Sequence, residues 1–176
     1  MSGTITQVYV MLIIGTREGQ ALIKASRKDE IISSINGYLK SQGHTPLLTN
    51  GTENHLHLFL KMKDEPSLDA LAKDIKIQIA RQYNRRHPGS ARLVWTKDYA
   101  AFSYSPSQIP EVMHYLQNED LHHQRYSFEE EFLMFLRKFG VAHDPAKVFP
   151  YLQASVKPGK KSRIQKMQEG LVLRLF

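Results

Sequence analysis

The sequence predicts an α+β fold: a ferredoxin-like antiparallel sheet of about five strands with flanking helices, in the order β-α-β-β-α-β-β-α-α. Three observations predict it. Short runs rich in β-branched and aromatic residues alternate with longer stretches whose apolar residues recur at helical spacing. Connections between neighbouring strands are of hairpin length, which implies antiparallel pairing. Two capping boxes open further helices in the C-terminal half.

Residues 5–15 form the first strand, ending at Gly15-Thr16. Residues 26–42 carry Ile31, Ile32, Ile35, Tyr38 and Leu39 at helical spacing and stop before Gly43, a residue suited to a helix C-terminus. Residues 45–50 read as a short strand, 51–53 as a turn and 55–60 as a third strand. The second helix covers 67–85 with Ser67 as its cap. Its apolar stripe is Leu68, Leu71, Ile75 and Ile79, while Lys73, Lys76 and Arg81 lie on other faces. His87-Pro88-Gly89-Ser90 breaks the chain, and 92–95 and 100–104 follow as two strands joined by a turn. Ser105-Pro106-Ser107-Gln108 puts Ser at the cap, Pro at the first helical position and Gln three residues after the cap, which starts a third helix. Ser127 with Glu130 opens a fourth, ending near Gly140. After about residue 150 the chain is basic at Lys157, Lys160 and Lys161 and apolar over 171–176, with no repeat or low-complexity tract anywhere.

Composition bounds the function. The 176 residues suffice for one domain with a real core, and 41% apolar with 23% charged residues is the balance of a globular protein. No apolar run approaches the roughly 20 residues of a membrane span. The N-terminus lacks a basic region followed by a small-residue cleavage site, so neither membrane association nor export is expected. The absence of cysteine excludes disulfides, thiolate metal sites and thiol nucleophiles, and fits a cytoplasmic protein. A formal charge of +7 suggests a polyanionic partner, although many basic proteins bind none.

Strand 55–60 carries the first chemistry. Side chains alternate across a strand, so Leu56, Leu58 and Leu60 face a core while His55 and His57 share the other side, their Cα atoms roughly 6.5–7 Å apart. Two imidazoles so placed can converge on one ion, or stand as two half-exposed histidines on a polar face. Tyr115 and Glu119 are four apart and share one face of the third helix. The carboxylate can complete a two-histidine site and leave the phenol beside it; an amphipathic tyrosine and a solvated glutamate have the same spacing. His122, one turn further along that face, is a candidate auxiliary group, or a helix-end histidine that suits the dipole. Trp95, Tyr99, Phe102 and Tyr104 lie near Arg92 and Lys97, a pattern for stacking bases or for packing a hairpin. Candidate DNA-binding cations are Lys73, Lys76, Arg81, Arg85, Arg86, Arg92 and Lys97. There is no Gly-rich phosphate loop, Gly-x-Ser-x-Gly elbow or His-Glu-x-x-His helix.

Four ordered segments then carry a resemblance. They are His-Leu-His at 55–57, Trp-x-x-x-Tyr-x-x-Phe-Ser-x-Ser at 95–105, Tyr-Leu-x-Asn-Glu-x-x-His-His at 115–123, and Ser-Phe-x-x-Glu-Phe-x-x-x-Leu at 127–136. In this order the chain closely resembles the single-tyrosine HUH transposases of bacterial insertion sequences, over about residues 7–149, including its opening Gln7-Val8-Tyr9-Val10 strand.

The resemblance implies an antiparallel sheet with flanking helices, a homodimer, and cleavage of single-stranded DNA with hairpin ends at the borders of a mobile element. Localisation is then cytoplasmic, at the nucleoid when DNA is bound. It makes His55 and His57 the histidine ligands of Mg²⁺ or Mn²⁺, and Tyr115 the nucleophile that forms a 5′-phosphotyrosine. Glu119 stands where relatives usually have a glutamine ligand, and Asn54 where many have aspartate. In relatives the tyrosine of one subunit commonly serves the histidines of the other, and the same is expected here. Residues 1–150 would be the catalytic domain and 151–176 a basic tail. The alternative is a catalytically silent DNA or RNA hairpin-binding descendant of such an enzyme.

Overall fold

The computed structural model describes residues 5–64 and 66–154, so the basic part of the expected tail lies outside the described residues. The chain divides into two compact units, one up to Leu121 and one from His122.

The first unit is built on a four-stranded antiparallel sheet in the order β2-β3-β1-β4, with β1 Val8–Gly15, β2 Thr45–Gly51, β3 His55–Met62 and β4 Ala100–Tyr104. The unbroken apolar run of β1 is explained by its central place: from Val10 onward every residue is buried. Two helices, α1 Lys28–Ser41 and α2 Leu68–Arg86, cover one face. Their Ile31, Ile35, Leu39, Leu71, Ile75 and Ile79 pack with Leu12, Ile14, Leu56, Leu58 and Leu60 of the strands. Each such side chain contributes about 1.5–3 kcal/mol on burial. Gly43 ends α1 at φ 83°, and the Ser67 hydroxyl accepts from the Ala70 amide at 3.3 Å, so both predicted helix ends hold.

The opposite sheet face carries cross-strand rows: His57 beside Ile13, which faces Ala100, and Phe59 beside Met11, which faces Phe102. Here Phe59 and Tyr104 meet edge to face at 5.7 Å. The third helix starts at its capping box, where Gln108 accepts from the Ser105 amide at 2.9 Å.

Two expectations differ from what is found. Residues 92–95 form no strand: Trp95 makes only an isolated bridge to Thr16, flanked by Arg17 N–H to Val94 O and Thr96 N–H to Gly15 O, both 2.9 Å. The ladder stops because the chain after Thr16 turns away through Glu18 and Gly19, at φ 53° and 65°. The third helix is also interrupted. It divides into α3 Ile109–Gln117 and α4 Glu119–His123, with Asn118 between them at φ −102°, ψ 18°. The Asn118 amide group donates to the His114 carbonyl at 2.8 Å, a local bond of the kind that competes with helix continuation.

In the second unit Ser127 and Glu130 form the expected capping box of α5 Phe128–Lys138, which ends before Gly140 at φ 64°. Phe128, Phe132 and Phe149 stack edge to face at 5.4–6.0 Å, and Tyr151 donates to Glu129 at 3.1 Å. Two short helices, α6 Pro145–Val148 and α7 Tyr151–Ala154, complete the described chain. No helix among the described residues is long and apolar enough to cross a membrane.

Candidate metal and nucleophile site

The tight β2–β3 turn places the first histidine. Thr52 N–H returns to the His55 carbonyl at 3.0 Å, and at Gly51 an added Cβ would lie 2.2 Å from that same oxygen. Only glycine permits so close an approach. Alternation along β3 then sends His55 and His57 away from the leucine core, side by side, with ring centroids 5.0 Å apart. Both are fully buried, which removes the half-exposed alternative.

Glu119, also fully buried, meets them from the start of α4. Its Oε1 lies 3.1 Å from His55 Nε2 and 3.4 Å from His57 Nε2. On the far side of the ring, His55 Nδ1 is 2.8 Å from Asn54 Oδ1, an atom that only accepts, so Nδ1 carries the hydrogen. Asn54 is itself oriented by its Nδ2 toward the Gly19 carbonyl at 3.4 Å and by the Thr52 hydroxyl at 2.9 Å. His55 Nε2, on the opposite side of the ring, points at the Glu119 carboxylate. A buried carboxylate requires its charge to be matched, by an imidazolium proton or by a bound cation. Candidate ligand atoms from the two histidines and Glu119 lie within 4.8 Å of one another. Two imidazole nitrogens and a carboxylate oxygen form a donor set suited to a divalent ion, with the outer nitrogen of His55 held in place by a hydrogen bond. Asn54, noted in the sequence for departing from aspartate, does this orienting as a neutral acceptor.

Tyr115, half-buried on α3, brings its ring centroid to 6.4 Å from that of His57 within the same chain. The tyrosine and Glu119 reach the site from two short helices rather than from one continuous face.

The remaining candidates fall in different places. His122 lies in the second unit, stacked on Tyr126 at 4.9 Å and 3.9 Å from Glu131. His123 is 3.4 Å from the same carboxylate. Glu131 is fully buried; it belongs to the fourth quoted segment, but spacing assigned it no role. Trp95, Phe102 and Tyr104 are buried and Tyr99 half-buried, so this aromatic group is packing rather than an open stacking surface. Lys76 points inward: its amine donates to the carbonyls of Thr96, Lys97 and Asp98 and lies 5.6 Å from the Tyr99 ring centre, and burial pulls its pKa down. Its charge staples α2 to that loop. Lys73 is paired with Asp69 at 2.6 Å and Arg86 with Glu30 at 3.2 Å. Arg81, Arg85, Arg92 and Lys97 are exposed.

An antiparallel sheet bearing paired histidines, met by a buried acid and with a helix-borne tyrosine alongside, defines a domain with a candidate metal site next to a phenol. The chain belongs to the family described as Transposase IS200 like, which matches residues 4–119. A crystal structure described as that of a transposase from Deinococcus radiodurans R1 is similar, with a TM-score of 0.54 and 15% identity, covering 67% of this chain and 95% of the other. The structure of a REP-associated tyrosine transposase bound to a REP hairpin also has a TM-score of 0.54, at 10% identity, covering 70% of this chain and 74% of the other. At such identities the likeness is one of fold. No curated protein matches the chain.

Proposed function

We propose that the chain is a metal-dependent single-strand DNA transposase that nicks and rejoins strands through Tyr115. The observation that carries this reading is the convergence of His55 and His57 on one Glu119 oxygen, with the Tyr115 ring 6.4 Å from His57. Membership of the IS200-like family supports it. The hairpin held by the REP-associated transposase supports a strand with hairpin ends as substrate.

His55, His57 and Glu119 would hold Mg²⁺ or Mn²⁺, with Glu119 supplying the oxygen donor that such hard cations prefer. The bound ion supplies charge withdrawal at the scissile phosphate. Tyr115 supplies the covalent chemistry. Its oxygen forms a bond to phosphorus in line with the P–O3′ bond, which breaks. The phenol gives up its proton and the 3′ oxygen gains one, leaving a 5′-phosphotyrosine and a free 3′-hydroxyl. One phosphodiester replaces another, so a second 3′-hydroxyl can reverse the step at a new junction without ATP. Because a free phenol titrates near 10, the proton leaves as the bond forms.

A homodimer is proposed to hold two element ends together. The catalytic region is proposed to reach about residue 150, with 151–176 as an appended basic tail.

Incubation of the full chain with a labelled single-stranded hairpin library and Mn²⁺ tests the reading. A protein-linked strand is expected, absent from the Tyr115→Phe protein although that protein still binds hairpins. Hairpin binding without an adduct under any divalent ion would identify a catalytically silent binder instead.

A further inference from the structure

Lys28 opens α1, where a cation meets the positive end of the helix dipole and gains nothing from it. Its side chain is nevertheless only 23% exposed, so the charge is used elsewhere. The ammonium donates to Asn50 Oδ1 at 3.2 Å and to the Gly51 carbonyl at 3.0 Å, with Asp120 Oδ1 at 3.7 Å. Asp120 is 77% exposed, and an ion pair that open to water contributes little. The two neutral acceptors therefore set the geometry.

These contacts cross the edge of the sheet. Strand β2 is an edge strand, and α1 packs on its leucine face, where the Thr49 hydroxyl donates to Asn36 of α1 at 2.7 Å. Asn50, the next residue, alternates to the opposite face and shares a cross-strand row with His57. Lys28 thus reaches from the helix layer round the edge strand to the histidine face. There it engages the oxygen of the Asn50 amide, while the nitrogen donates to the Leu116 carbonyl at 2.7 Å. The amide is fixed from both ends, because a flip would turn its two N–H donors toward the ammonium. Leu116 follows Tyr115 in α3, whose ring lies 6.4 Å from that of His57.

We propose that Lys28 is a positioning residue for strand cleavage: by orienting the Asn50 amide across the edge of the sheet, it holds α3, and with it Tyr115, against the histidine strand. The kinetic consequence rests on the transposase reading above; the hold on α3 does not. A cation on one face of the sheet thereby acts on the phenol of the other without touching it.

The test uses the full chain with Lys28→Met, Asn50→Ala, the two combined, and Lys28→Cys. The chain has no cysteine, so the Lys28→Cys protein can be alkylated at a single site with 2-bromoethylamine, which returns an ammonium at nearly the original reach. Single-turnover adduct formation is followed with Mn²⁺ over a range of concentrations of a short unpaired oligonucleotide. Amide hydrogen exchange is followed without DNA. Lys28→Met should lower the saturating rate by about 10–100-fold. The half-saturating concentration should stay within about twofold of the parent's. Exchange should quicken across α3 but not across β3, and alkylation of the Lys28→Cys protein should restore both rate and exchange. Lys28→Met should add nothing to the loss in Asn50→Ala, since both break one link. A raised half-saturating concentration at unchanged saturating rate would make Lys28 a direct phosphate contact and overturn the proposal. Additive losses, no recovery on alkylation, or exchange that quickens equally in β3 would also overturn it. If the parent forms no adduct, the transposase reading fails, while exchange in α3 still decides the hold: quickened in Lys28→Met it stands, unchanged it falls.

Discussion

Asn50 donates its side-chain amide to the main-chain carbonyl of Leu116 at 2.7 Å. Asn50 is the cross-strand partner of His57, and Leu116 follows Tyr115, so one hydrogen bond links the histidine strand to the tyrosine helix. In an unbroken helix that carbonyl would accept from residue 120. The interruption at Asn118 leaves it for Asn50. Lys28 steadies the far end of the link, 3.2 Å from Asn50 Oδ1 and 3.0 Å from the Gly51 carbonyl, with Asp120 at 3.7 Å.

Asn50→Ala should therefore act on positioning more than on folding. Loss of one bond to a buried carbonyl costs about 1–2 kcal/mol of stability. Displacement of Tyr115, the proposed nucleophile, should slow single-turnover adduct formation by about 10–100-fold, with hairpin affinity unchanged. A rate equal to the parent's would show that α3 is held by other means.

Glu119 is the only one of the three proposed ligands that brings a negative charge. Glu119→Ala should weaken Mn²⁺ binding by at least about tenfold, read by calorimetry. Glu119→Gln keeps an oxygen donor, so it should retain adduct formation while binding the ion less tightly. Since neutral imidazole and ionised carboxylate are the ligating forms, affinity in the parent should fall as pH drops. Unchanged Mn²⁺ affinity in Glu119→Ala would remove the residue from the site.

Gly51 tests the turn. A methyl group there would meet the His55 carbonyl and the Leu56 side chain, the latter at 2.6 Å. Gly51→Ala should cost at least about 2 kcal/mol in denaturant unfolding and lower metal affinity as well, because the opened turn moves His55. An intact metal site in a destabilised protein would separate the turn from the ligand geometry.

Tyr104 gives a pH signature. Burial, with a smaller contribution from the Glu111 charge, pushes its phenol well above the usual value near 10. The folded state thus keeps a proton that the unfolded chain gives up. The stabilisation is complete below the unfolded pKa and is lost as pH rises above about 10, at up to about 1.4 kcal/mol per pH unit. Parent stability should fall more steeply there than that of Tyr104→Phe, measured by urea unfolding. Parallel curves would contradict the assignment.

The site's outline was legible where local rules govern. Strand alternation separated His55 and His57 from Leu56 and Leu58, and Ser105 with Gln108 and Ser127 with Glu130 announced two helix starts. Longer-range features were not legible. Helical periodicity joined Tyr115 to Glu119 across a break that coincides with a bond from a residue 66 positions away from Leu116. Lys76 looked like any surface lysine until its amine was seen to cap three carbonyls of the loop after Trp95. The expected strand at 92–95 failed because its partner strand turns away at Glu18, and no propensity in 92–95 records that.

The central claim is that Tyr115 becomes covalently attached to DNA. Peptide mass mapping after reaction with a hairpin-flanked single strand and Mn²⁺ measures this directly. The account predicts a nucleotide-bearing peptide with the phosphate on Tyr115. An adduct mapped to any other residue, or an unmodified Tyr115 in a strand that has nevertheless been cut, would contradict it.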